Sequence, residues 1–161
     1  MIKLILVCCV ASLLFGCATQ NVSQFSNPKP SQICIAKHDA VKDSFLEAMQ
    51  EGFTKNNATT KVIQGTYVKK NNMYHPTINK NDLSSCDAIA FYVANWTWDL
   101  AMYMSFANIW ITDIDMTKKI AQATYQAGGG LDKFISAREK TLELVDQMYG
   151  VEPKNDKNTS L

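Results

Sequence analysis

Between Ala88 and Ala127 the chain carries three apolar runs in quick succession, Ala88 to Trp98, Ala101 to Ile111 and Ile120 to Ala127, and no other stretch restricts the fold as much. Each run has strand length and is followed closely by a polar break, which predicts three antiparallel strands joined by short turns. The break from Asp113 to Lys118 suits a hairpin turn. The one at Asp99-Leu100 lacks the Gly or Asn of primed turns, which leaves room for a bulge or a longer loop. Alternation sorts the side chains into two faces. One combines many alanines with Tyr92, Trp96, Ile109, Ile111 and Tyr125 and has Ser105 as its ordinary polar residue; small and large side chains together suit close helix packing, so this face is expected to meet the helices. A turn centred on Asp99-Leu100 would pair Tyr92 with Ala107 and Ala90 with Ile109, large against small. The other face mixes Ile89, Phe91, Val93, Met102, Met104, Phe106 and Trp110 with Asn95, Asn108, Gln122 and Gln126. On an isolated domain it would expose a large apolar patch, and such patches mark interaction surfaces. Phe91, Met102, Met104, Phe106 and Trp110 are therefore the candidate interaction face, covered by a protein partner, by a second copy, or by the segment from Lys69 to Ser85.

Upstream, residues 32–36 alternate Ile33 and Ile35 around Cys34 as a strand, and residues 39–54 place Val41, Phe45, Met49 and Phe53 at helical spacing behind Asp39 as N-cap. Thr59 to Gln64 is β-branched and strand-like, and Lys69 to Ser85 reads as a long loop. Gly128 to Gly130 end the last strand, after which Leu131, Phe134, Ile135, Leu142, Val145 and Met148 mark a final amphipathic helix. The expected fold is α+β: a largely antiparallel five-stranded sheet with two amphipathic helices packed on one face.

The N-terminus carries an address. Leu14-Phe15-Gly16-Cys17 closes an apolar run of about a dozen residues behind Lys3, shorter than the roughly 20 a spanning helix needs. It resembles the lipobox of bacterial lipoproteins, which implies that residues 1–16 are a signal peptide and that Cys17 becomes the acylated first residue. Several acyl chains anchor a protein far more firmly than one. Ala18 stands where an aspartate resembles the inner-membrane retention signal, so the expected location is the outer membrane, with the domain facing the periplasm. Residues 17–31 read as a flexible tether, 32–149 as a single α+β periplasmic domain and 150–161 as a disordered tail.

With Cys8 and Cys9 in the signal and Cys17 occupied, Cys34 and Cys86 remain. An even pair in an oxidising compartment suggests a disulfide, with two separately buried thiols as the alternative. Lys and Arg number 16 against 15 Asp and Glu, so no field of one sign draws in nucleic acid.

No catalytic motif of recognisable spacing is present, and His38 and His75 are the only imidazoles. Asp113-x-Asp115-x-Thr117 lacks the glycine and glutamate of a calcium loop, and the triple glycine lacks the Lys-Ser/Thr of a phosphate loop. Asp87 and Asp99, at strand ends, are the acids that an unfamiliar enzyme site would use. From Cys86 onward, with its WTWDLAMYMSFA string and Gly-rich turn, the chain resembles a group of small uncharacterised proteobacterial lipoproteins. The order of elements is more loosely similar to periplasmic modules of lipoproteins that regulate envelope machines. The expectation is a non-enzymatic anchored domain, without metal or cofactor, that binds or scaffolds another envelope protein or itself. A binder of a soluble ligand, such as a glycan or a hydrolase, and an enzyme with an unfamiliar site are the alternatives.

Overall fold

The structure, a computed structural model, describes residues 18–129 and 135–152. In chain order the elements are β1 (Thr19–Ser23), β2 (Gln32–Lys37), α1 (Asp43–Lys55), β3 (Thr59–Lys70), β4 (Met73–Ile78), a short 3₁₀ turn (Lys80–Leu83), β5 (Ala88–Asp99), β6 (Ala101–Asp113), β7 (Lys119–Gln126) and α2 (Ala137–Met148). The seven described strands join one sheet in the order β1-β7-β6-β5-β2-β3-β4. Strand β2 runs parallel to both β3 and β5, and the other four pairings are antiparallel. The described residues are thus mostly β, forming a seven-stranded mixed sheet that curls at its β3–β4 end and carries two helices. The expected five-stranded, largely antiparallel sheet is wrong.

Each departure has a physical reason. Strand β1 was hidden because an edge strand can be polar on both faces: four of its five residues are exposed, yet it pairs with β7 from Thr19↔Gln126 to Ser23↔Gln122. The residues after it are pinned too. The Phe25 N–H donates to Met148 O at 2.9 Å, its ring lies 4.8 Å from that of Tyr149, and Lys29 Nζ donates to Tyr149 O at 2.7 Å. Residues 18–31 are therefore part of the fold and not a tether. Strand β4 was hidden in the presumed loop. Asn71 and Asn72 both take positive φ (50° and 61°), as a tight hairpin turn requires, and Pro76 is tolerated because β4 is an edge. Parallel pairing of β2 and β3 follows from α1, which carries the chain back to the end where β2 began. That helix starts at Asp43 behind Lys42, so Asp39 is not its cap; the Asp39 carboxylate accepts from Gln64 Nε2.

Both helices pack on one face. Phe45, Met49 and Phe53 from α1 and Leu144, Val145 and Met148 from α2 enclose Ile33, Ile35, Tyr92, Ile109 and Ile111 of the sheet. The helices meet closely at Gly52, where an added Cβ would stand 2.9 Å from that of Val145. The opposite face has its own small core of Cys34, Ala36, Ile63, Ile89 and Phe91 beneath Leu83 of the 3₁₀ turn.

The register of the meander differs from the expected one. Tyr92 lies opposite Ile109 and Ala90 opposite Ile111, because the turn centres on Leu100 and β6 bulges opposite Asn95/Trp96. Asn95 pairs with Phe106 but Trp96 with Met104, leaving Ser105 as the extra residue. Its hydroxyl donates to Asn95 O and accepts from Thr97 Oγ1. The bulge reverses alternation along β6. Met104, expected on the outer face, is buried in the helix-side core, and Ser105 is not.

Candidate functional site

Strand β2 pairs with β5 over only three residues, ending at Ile35↔Ala90, while it stays paired with β3 to Lys37↔Gln64. Past Ala36 the two parallel neighbours of β2 diverge. Tyr67 fills the opening: its hydroxyl donates to Ala36 O at 2.8 Å and accepts from the Tyr92 N–H at 3.3 Å. One phenol takes the place of a ladder rung. Burial holds its pKa far above the ordinary tyrosine value.

His38 stacks on the Tyr67 ring at 4.0 Å, with Tyr74 edge-on at 5.5 Å. The His38 backbone N–H donates to Tyr92 Oη at 3.1 Å, and the ring Nδ1 accepts from the Ala40 N–H at 3.2 Å. An acceptor nitrogen must be unprotonated, so the fold favours the neutral ring. Burial lowers the His38 pKa below 6.5, only partly opposed by Asp39. The unfolded chain then binds the proton more readily than the native one. This contribution to stability should be full above pH 6.5 and fall as the pH drops through 6.5 toward the native value. Urea unfolding between pH 5 and 7.5 should show that slope in the wild type and a flatter one in His38→Gln; equal slopes would remove His38 as the cause.

A cleft of about 440 Å³ opens on the outer face, where the curled β3–β4 hairpin stands over β5, β6 and β7. Met73, Tyr74, Val93, Phe106 and Trp110 supply its apolar wall, Asn72, Asn95, Asn108 and Gln122 its amides, and Lys69 and Lys119 its cations. No carboxylate is among its lining residues. Asn108 Oδ1 accepts from Gln122 Nε2 at 2.8 Å and from Thr124 Oγ1 at 3.1 Å, which orients the amide floor. Concave apolar surface with a few fixed polar groups is what binding sites are made of.

Of the five residues expected on the interaction face, two line this cleft, Phe106 and Trp110. Phe91 is buried, 5.7 Å from the Trp110 ring and beneath the 3₁₀ turn. Met104 points into the helix-side core, and Met102, 56 % exposed, lies beyond the bulge near the β5–β6 tip. Cys17 lies outside the described residues. Cys34 and Cys86 are joined, with Cα atoms 5.7 Å apart. Asp87 serves as a local clamp: its carboxylate accepts from Ser31 N, Ser31 Oγ and Gln32 N, and these bonds hold its pKa below the usual carboxylate range. Asp113 likewise accepts from Thr117 and Lys118 and closes the β6–β7 turn. Among the described residues no three His, Cys, Asp or Glu side chains gather as a metal site would require, and no helix is long and apolar enough to cross a membrane. The cleft residues on the β3–β4 hairpin, Lys69, Met73 and Tyr74, were missed; the Asn-Asn pair between them was the available signal.

No protein-family model matches the chain, and no curated protein matches it in sequence. Solved structures do. PelC from Paraburkholderia phytofirmans, solved as a dodecamer, superposes with a TM-score of 0.53 over 81 % of this chain and 94 % of its own, at 7 % identity. The chain is similar to PelC in fold. A PelC point variant, also a dodecamer, gives a TM-score of 0.52 at 8 % identity over 81 % of this chain and 93 % of that one. Nearly a whole PelC chain is matched, so the likeness is one of fold over most of the domain. A PDZ domain protein from Parabacteroides distasonis overlaps at a TM-score of 0.39, 11 % identity, across 88 % of this chain and 39 % of its own, and supports no argument.

Proposed function

We propose that this chain is a lipoprotein held in the outer membrane by acyl chains on Cys17, its domain facing the periplasm, and that it binds another envelope protein without catalysis. The outer-face cleft carries the proposal. It offers apolar side chains and oriented amides to a protein segment, on a face that the helices leave uncovered. PelC, which has this fold, assembles as a dodecamer, and that supports a second copy as one form of partner.

Phe106→Asp should abolish association in cross-linked envelopes and in sedimentation of the purified protein. The thermal midpoint should stay within a few degrees, since Phe106 is only half-buried. Unchanged association would remove the cleft from consideration, and an unfolded variant would show that this face is interior. The rings of Trp110 and Tyr74 beside four amides also favour a glycan as occupant. Calorimetric titration with peptidoglycan fragments separates the two readings.

A further inference from the structure

The β5–β6 hairpin continues past the rest of the sheet. At the level of Asn95 the strands lie side by side, because Asn95 pairs with Phe106, Phe106 with Gln126 and Gln126 with Thr19. Of the four strands in that row, β5 and β6 go on beyond it, for the last four residues of β5 and the tip residue Leu100, or about 16 Å at strand rise. The extension is apolar and solvent-facing. Trp98 is 69 % exposed, Met102, its cross-strand partner, 56 %, and Leu100 at the tip 89 %. Leu100 also takes φ of 62°, a conformation rare for a branched side chain, so a large apolar group is displayed where Gly or Asn would be expected. Asp99 is the only charged residue between Trp96 and Met104.

The same row of residues includes the start of β1. Thr19 is two residues from Cys17, so covalent reach keeps the two Cα atoms within about 7 Å. An anchor at Cys17 therefore leaves the sheet at the end from which the hairpin projects. The hairpin reaches about 9 Å further than that covalent limit, comparable to the 5–10 Å by which apolar side chains sink into the boundary between headgroups and acyl chains. Trp is the residue type enriched at that depth. Lysines surround the same end: Lys42 Nζ sits 4.8 Å from the centre of the Trp96 ring, and Lys69 and Lys70 lead into the neighbouring β3–β4 turn, where Met73 is 62 % exposed. Ammonium groups above an apolar tip suit phospholipid phosphates.

We infer that Trp98, Leu100 and Met102 insert into the interface of the phospholipid leaflet in which the anchor sits. The hairpin forms a second attachment that fixes the domain's orientation on the membrane. This rests on the reading of Cys17 as the acylated residue. The wild-type protein, extracted with its acyl chains and reconstituted in phosphatidylethanolamine/phosphatidylglycerol vesicles, is tested with brominated phospholipids, which quench tryptophan emission only at contact. Emission should fall by about half or more in the wild type, the fall should largely disappear in Trp98→Phe, and it should be strongly reduced in Leu100→Asp, which retains the reporter. Quenching equal in wild type and Leu100→Asp overturns the inference. So does a Trp98 shielded from aqueous quencher but untouched by bromolipid, the result expected if a second copy covers the tip. Mass measurement of Cys17 in the same material tests the anchor separately. If Cys17 carries no lipid, Cys17→Ser protein with an N-terminal histidine tag, held on nickel-chelating lipids, puts the tip to the same bromolipid test.

Discussion

Replacing Cys34 and Cys86 together by alanine should lower the free energy of unfolding by about 4 kcal/mol. The bond spans 52 residues, from the interior strand β2 to Cys86, two residues before β5, and the enclosed segment contains α1, β3, β4 and the 3₁₀ turn. Without it the unfolded chain regains the freedom of that loop. In the native state the bond ties the 3₁₀ turn to the outer face, where Leu83 covers Ile89 and Phe91. Urea unfolding of wild type, reduced wild type and double variant is the measurement, with the last two expected to coincide. A loss below about 1 kcal/mol would mean that the cross-link does not constrain the unfolded ensemble as the chain-entropy argument requires.

Tyr67→Phe should cost about 2–4 kcal/mol although it deletes a single oxygen. The Ala36 carbonyl and the Tyr92 N–H both depend on that oxygen, both residues are almost fully buried, and each orphaned group costs about 1–3 kcal/mol. The ring stays in place to stack on His38, so packing should change little. The variant should lose amide-exchange protection at Tyr92 ahead of the rest of β5. A change under about 0.5 kcal/mol, with protection retained, would show that the diverging strands find another partner.

The meander was legible because its alternation is strong, and the helices because Phe45, Met49 and Phe53, or Val145 and Met148, recur at turn spacing. The two strands that escaped have a common cause. Strand β1 and strand β4 are edges, and an edge needs only backbone partners on one side, so its composition can look like a loop. The parallel placement of β2 depends on which strands α1 connects, which no local pattern records. Ser105 was invisible as a bulge because a serine between Met104 and Phe106 continues the alternation it actually breaks. That single residue moved Met104 to the core and sent Met102 to the tip. The cleft escaped because four of its eleven lining residues come from the β3–β4 hairpin, which the curl of the sheet brings over β5, β6 and β7. Cys34 and Cys86 were paired from compartment and parity, information that does not depend on tracing the strands.

Strand β1 also determines how the domain bears a pull. The chain enters it at Thr19, and five residue pairs with β7 run from there through Ser23. Tension arriving through Ala18 runs along the strand axis, while the counterforce spreads from β7 through β6 into the core. The rungs are then loaded in shear, all at once, in contrast to the peeling that a perpendicular pull would produce. A short, polar edge strand that contributes little to the core is thus placed where it would resist such a pull in shear.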